Sequence, residues 1–181
     1  MIDANAILNS AFQSETIDPD NIYLFGASMG GAAAIESAKH YQDRLKGLIL
    51  MNTFTNLANV VDQMNIIFKL FRPIILSNYW PSEERISELT LPIQFISGRE
   101  DEMISKEQMD RLFKAATSSR YKDMTKVKHG HHNDTWYSGR EIIRKSLKKF
   151  FKKCQQLFLQ KQGTINLDLS MKNSTNKRED L

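Results

Sequence analysis

Ser28 stands between two glycines in the run Gly26-Ala27-Ser28-Met29-Gly30, the spacing G-x-S-x-G. A serine hydroxyl is a poor nucleophile until a histidine takes its proton and an acid orients that histidine. What makes this run a candidate is its context: an apolar segment precedes it and helix formers follow it. A sharp strand-to-helix turn forces the serine backbone into a strained conformation, and glycine at 26 and 30 avoids collisions two positions to either side. Ser28 Oγ would then stand above the strand ends, near the positive end of the following helix. The Met29 N–H would point to where an oxyanion forms in acyl transfer. The plain alternative is a glycine-rich turn with no chemistry, and the flanking strand and helix weigh against it.

The partners of such a serine should follow in the order acid, then histidine, each after a later strand. Asp101 sits in Ser97-Gly98-Arg99-Glu100-Asp101-Glu102, just past an apolar run. Glu100 and Glu102 compete with it for the role of acid. His131-His132-Asn133-Asp134 lies between the last strand candidate and the last helix, where the base is expected; His132 is the candidate and His131 its neighbour and rival. His129, His131 and His132 read alternatively as a metal cluster. No spaced carboxylate or cysteine set completes it, so neither a metal nor a cofactor is expected. His40, on the helix after Ser28, is expected at the surface.

These residues need a scaffold. Asp3 can cap a short helix through about Phe12, and Asp18-Pro19-Asp20-Asn21 forms a turn. Ile22 to Phe25 reads as a strand buried on both faces, and Ala32 to Ala38 as a helix packed closely on a sheet. Leu48 to Met51 is the next buried strand, giving a strand–helix–strand unit and a parallel sheet. From Thr53 to about residue 90 the pattern changes to apolar helical positions interrupted by Pro73, a lid-like excursion. Within it Met64, Ile67, Phe68, Phe71 and Tyr79 could wall an acyl pocket. Ile93 to Ile96 is a further strand, Lys106 to Ala116 a helix, and Thr125 to Lys128 a weak, charged edge strand. Ile143, Leu147, Phe150, Cys154 and Leu157, spaced 4, 3, 4 and 3, mark one face of a last helix over about 141–160. Residues 161–181 are polar and expected to be disordered, leaving one domain over 1–160.

Composition excludes several classes. The chain has 181 residues, 41% of them hydrophobic and 25% charged, as in a globular domain. One cysteine, Cys154, allows no internal disulfide, and neither a membrane span nor a signal-peptide core is legible, so the chain reads as cytoplasmic. The net charge of +4 comes from the tail: from Gly139 on there are eleven Lys/Arg against four Asp/Glu. No nucleic-acid motif accompanies that charge, and no nucleic-acid partner is expected. Lys145, Lys148, Lys149, Lys152 and Lys153 with Phe150 and Phe151 would suit peripheral membrane contact.

Taken with Ile22 to Gly31 (IYLFGASMGG), Asn52-Thr53-Phe54-Thr55, Trp80 with the run to Pro92, Ile96 through Glu102 and His132-Asn133-Asp134-Thr135-Trp136, the chain resembles the alpha/beta-hydrolase superfamily. More closely it resembles the group of alpha/beta hydrolase domain-containing protein 13 and its fungal Bem relatives. The resemblance implies Ser28 as nucleophile, Asp101 as acid, His132 as base and Met29 as oxyanion donor. It implies a serine hydrolase that cleaves carboxylic esters or thioesters, with acylated proteins among its substrates, as in related palmitoyl-removing branches. It also implies an α/β fold of mostly parallel sheet with flanking helices, of which this chain is the C-terminal part, with strands one to four of the family missing. The second oxyanion donor and the membrane anchor of relatives would belong to that missing part, and Ile22 to Phe25, without its usual neighbouring strand, would present an open apolar edge. A catalytically impaired form, acting as an interaction or peripheral membrane module, is the corresponding alternative.

Overall fold

Among the described residues four strands alternate with helices, and the carboxyl end of each strand leads into a segment that carries part of the candidate site. The computed structural model describes residues 2–57 and 80–179. Helix α1 (Ile2–Gln13) and a short 3-10 turn (Pro19–Asn21) lead into β1 (Tyr23–Ala27), α2 (Met29–Tyr41) and β2 (Gly47–Met51). Then come α3 (Ser82–Ser87), β3 (Ile93–Gly98), α4 (Lys106–Ala115), β4 (Lys122–Val127), α5 (Thr135–Ser138) and α6 (Arg140–Glu179). The strands lie in the order β1-β2-β3-β4, every neighbouring pair parallel. Such a sheet needs cover on both faces.

That cover follows the alternation of side chains along the strands. Leu48 and Leu50 of β2 and Ile93 and Phe95 of β3 face a core built with Leu8 and Phe12 of α1, Ile35 and Ala38 of α2, Ile86 of α3, and Met109 and Leu112 of α4. Ile49 and Ile96 face the opposite way, against Ile143, Phe150 and Cys154 of α6. Burying Cys154 among these side chains pushes its thiol up to about 12, so it packs as a small hydrophobe.

The structure corrects several expectations. Among the described residues β1 pairs with β2 alone, the open edge expected of a chain without the family's earlier strands; its faces are less covered than the apolar run suggests, with Phe25 51% exposed and packed edge-to-face with Trp136. Phe150 is fully buried against β2 and β4 residues, which leaves Phe151 but not Phe150 for any surface contact. The last helix continues to Glu179, past its expected end near residue 160 and into the tail expected to be disordered. No proline occurs between Arg140 and Glu179, and a lone Gly163 costs a helix only about 1 kcal/mol. Of the lid-like excursion, residues 58–79 lie outside the described residues, and with them Met64, Ile67, Phe68, Phe71 and Tyr79. Among the described residues β4 is the other edge of the sheet, in agreement with its charged sequence.

Candidate active site

The turn after β1 is held by close backbone approach. A side chain on Gly26 would come within 2.7 Å of Gly31 Cα and 2.8 Å of Ala34 Cβ, with the Gly30 carbonyl closer still. Glycine at 26 is therefore a steric requirement. Gly30 is different from expectation: a Cβ there meets nothing within 4 Å among the described residues. The second steric glycine is Gly31, whose Cβ would lie 2.5 Å from Thr53 Cβ. Between them Ser28 adopts φ 51°, ψ −126°, a conformation costly for a side-chain-bearing residue and tolerated because its surroundings fix it. Its N–H donates to Met51 O (3.0 Å), and its carbonyl accepts from Gly31 N–H (3.0 Å) and Thr53 Oγ1 (2.7 Å).

Ser28, Asp101 and His132 converge at the carboxyl ends of the strands. Ser28 Oγ lies 3.1 Å from His132 Nε2, and His132 Nδ1 lies 2.8 Å from Asp101 Oδ2. The two side chains of the second contact are 7% and 1% exposed. Asp101 is itself oriented: its other oxygen, Oδ1, accepts from the N–H groups of Met103 (2.9 Å) and Ile104 (2.8 Å). The hydrogen bond with Asp101 holds the His132 imidazole above its ordinary value, against the opposing effect of burial. With Nδ1–H given to Asp101, Nε2 is the free lone pair facing Ser28. Such a chain can draw the serine proton and hold the resulting imidazolium. The Met29 N–H opens α2, where helix geometry leaves N–H groups without intrahelical acceptors.

The rivals are placed elsewhere. His131 faces Glu102 (3.4 Å) and Glu100 (3.7 Å), and His129 faces Glu100 (2.8 Å), all at the surface. His129 and His131 share Glu100, and among the described residues no group of three or more His, Cys, Asp or Glu is placed to hold a metal ion. His40 is 55% exposed, 3.6 Å from Glu36. A cavity of about 330 Å3 lined by Lys46, Pro92, Arg120 and Leu157 opens at the amino ends of the strands, opposite the three residues.

Asn52 and Thr53 were not singled out by residue type alone. Asn52 follows β2 with φ 45° and is buried, and its side chain bonds to both later loops. The loops are also tied through Glu100 N–H to Gly130 O (3.1 Å) and Arg99 N–H to Val127 O (2.9 Å).

The strand–elbow–helix, with an acid and a histidine after the next strands in that order, defines an alpha/beta hydrolase. Comparison with known proteins agrees: the family described as serine aminopeptidase, S33, matches residues 1–83. The chain is 32% identical over 163 residues to the alpha/beta hydrolase domain-containing protein WAV2 of Arabidopsis thaliana, covering 83% of this chain and 53% of that protein. It is 33% identical over 138 residues to protein bem46 of Schizosaccharomyces pombe, covering 74% and 45%. An esterase of Pyrococcus furiosus shares the fold with a TM-score of 0.69 at 14% identity, over 84% of this chain and 60% of that one. The chain belongs to the alpha/beta-hydrolase superfamily and, within it, to the Bem-like group. It spans about half the length of the curated relatives it matches. No helix among the described residues is long and apolar enough to cross a membrane.

Proposed function

We propose that the protein is a serine hydrolase that cleaves carboxylic esters or thioesters. One observation carries the reading: the continuous hydrogen-bonded chain from Asp101 Oδ2 through the His132 ring to Ser28 Oγ, at 2.8 and 3.1 Å. Ser28 Oγ attacks the acyl carbonyl while its proton passes to His132 Nε2. Asp101 stabilises the imidazolium, and the Met29 N–H receives the developing oxyanion. His132 then returns the proton to the leaving alcohol or thiol, and an acyl-serine remains. Water, deprotonated by the same nitrogen, attacks that ester and releases the acid, restoring Ser28. No metal or cofactor enters this scheme. Small acyl esters and acylated proteins are the substrate class, and Phe151 with the exposed lysines of α6 would serve contact with an anionic membrane surface.

A second reading, an impaired form that acts as an interaction or peripheral membrane module, rests on Met29 being the one oxyanion donor assigned among the described residues. A site short of one donor loses about a hundredfold to a thousandfold in rate. Steady-state hydrolysis of a nitrophenyl butyrate, a butyryl thioester and an aminoacyl amide separates these readings. Turnover of the first two that disappears in Ser28→Ala supports the proposal. Turnover of the amide alone would make the protein a peptidase, and turnover that survives Ser28→Ala would refute the site.

A further inference from the structure

Asn52 is a polar side chain, 2% exposed, in a backbone conformation that few residues other than glycine adopt. Asparagine tolerates that backbone better than most side-chain-bearing residues, but burying its amide is costly unless the amide is hydrogen-bonded. Here it is. Oδ1 accepts from Gly98 N–H at 2.8 Å, at the end of the strand that leads to Asp101. That donor fixes which end of the amide is oxygen. Nδ2 then donates toward Thr135 Oγ1 (3.0 Å), His132 O (3.3 Å) and His131 O (3.4 Å), all in the loop that carries the histidine. The neighbours on either side hold the nucleophile: Met51 O accepts the Ser28 N–H and Thr53 Oγ1 donates to Ser28 O. Three consecutive residues at the end of β2 thus touch the segments bearing all three reacting side chains.

We propose that Asn52 is a positioning residue, whose amide sets the distance between the acid-bearing and histidine-bearing loops and so aligns the His132 ring with Asp101 and Ser28. This rests on the reading of His132 as the base. The chemistry of the pocket selects the amide. Thr135 has one hydroxyl proton, and it goes to His131 O at 2.6 Å, so a lone pair faces Asn52. That lone pair and the His132 carbonyl need a donor, while Gly98 N–H needs an acceptor; His131 O is already served by the hydroxyl and the N–H of Thr135. An aspartate has the right shape but turns a carboxylate oxygen toward three others. A glycine accepts the positive φ without strain and supplies no tie.

The test uses the 181-residue chain with Asn52→Asp and Asn52→Gly. The low-field proton resonance of His132 Nδ1–H, assigned by its loss in His132→Ala, is followed with pH beside fluorophosphonate labelling and thermal unfolding. Both variants should shift or broaden that resonance and move its titration midpoint down toward the ordinary histidine value. Labelling should slow at least tenfold, as expected of a misplacement of about an ångström. Any kcat measured on a nitrophenyl ester should fall while KM stays within about twofold. Thr135→Val, which removes the shortest of the three contacts made by Nδ2, should reproduce the direction of the shift in a chain that keeps Asn52, and decides the matter if the Asn52 variants do not fold. Variants that fold and keep the wild-type resonance, midpoint and labelling rate would overturn the inference, as would a wild-type chain without the resonance. A resonance that moves as expected, in a protein whose turnover survives Ser28→Ala, would leave the positioning standing and remove the proposed function.

Discussion

Replacing Asp101 by asparagine changes one oxygen into an amide nitrogen, and the structure decides where that nitrogen must go. Met103 and Ile104 both donate N–H groups to Oδ1, so the amide oxygen stays there and the NH2 turns toward His132. Two donors then face each other, unless the imidazole moves its proton from Nδ1 to Nε2. In that tautomer the nitrogen 3.1 Å from Ser28 Oγ carries a hydrogen and cannot accept one. The equivalent change in a serine triad costs about 10⁴ in kcat, or about 5.5 kcal/mol of transition-state free energy. Glu100 and Glu102 are 46% and 58% exposed, and ion pairs that stand in water contribute little. Rates of ester hydrolysis and of phosphonylation, measured for Asp101→Asn, Glu100→Gln and Glu102→Gln, should separate by at least about 10². Equal losses at the three positions, or an Asp101→Asn within tenfold of wild type, would refute the reasoning.

His132→Ala should abolish turnover while His131→Ala leaves most of it, because the His131 ring faces Glu100 and Glu102 and not Ser28; kinetics on both variants check this. Since Asp101 raises the folded-state value of His132, its charge pair contributes stability fully below about pH 6.5 and loses it as pH rises through the raised value. Activity, which needs neutral imidazole, should appear over that same rise, so kcat/KM and the unfolding free energy should run in opposite directions there, and parallel trends would contradict the assignment. Gly31→Ala should destabilise by about 1–3 kcal/mol through its clash with Thr53, whereas Gly30→Ala, with no described residue within 4 Å of its Cβ, should be neutral or stabilise by up to about 1 kcal/mol. Thermal unfolding of the two variants measures the difference.

How far the sequence could be read depends on whether the signal was local. Ser28 was legible because its turn is written within ten residues, from the apolar strand to the alanine-rich helix. Asp101 was a candidate by order along the chain, and only the structure places it, and not Glu100 or Glu102, buried and 2.8 Å from His132 Nδ1. His131 and His132 are adjacent, and only the direction of each ring tells them apart. The motif also concealed which glycines matter: Gly31 faces Thr53, a contact between elements that spacing cannot show. The stripe Ile143, Leu147, Phe150, Cys154 gave the buried side of α6, yet Phe150 was also offered to a membrane, because a helical pattern does not say which apolar residue lies at its margin. Asn52 carried no signal as a residue type, since a polar residue at a strand end is ordinary until its four partners are in place.

The central claim is that Ser28 is an activated nucleophile. Incubating the protein with a fluorophosphonate and mapping the adduct by peptide mass spectrometry tests it most directly. We predict one phosphonyl group on Ser28, formed at a rate that rises with pH through the His132 titration and is lost in Ser28→Ala and His132→Ala. Labelling that falls on another residue, or that continues undiminished in Ser28→Ala, would contradict it.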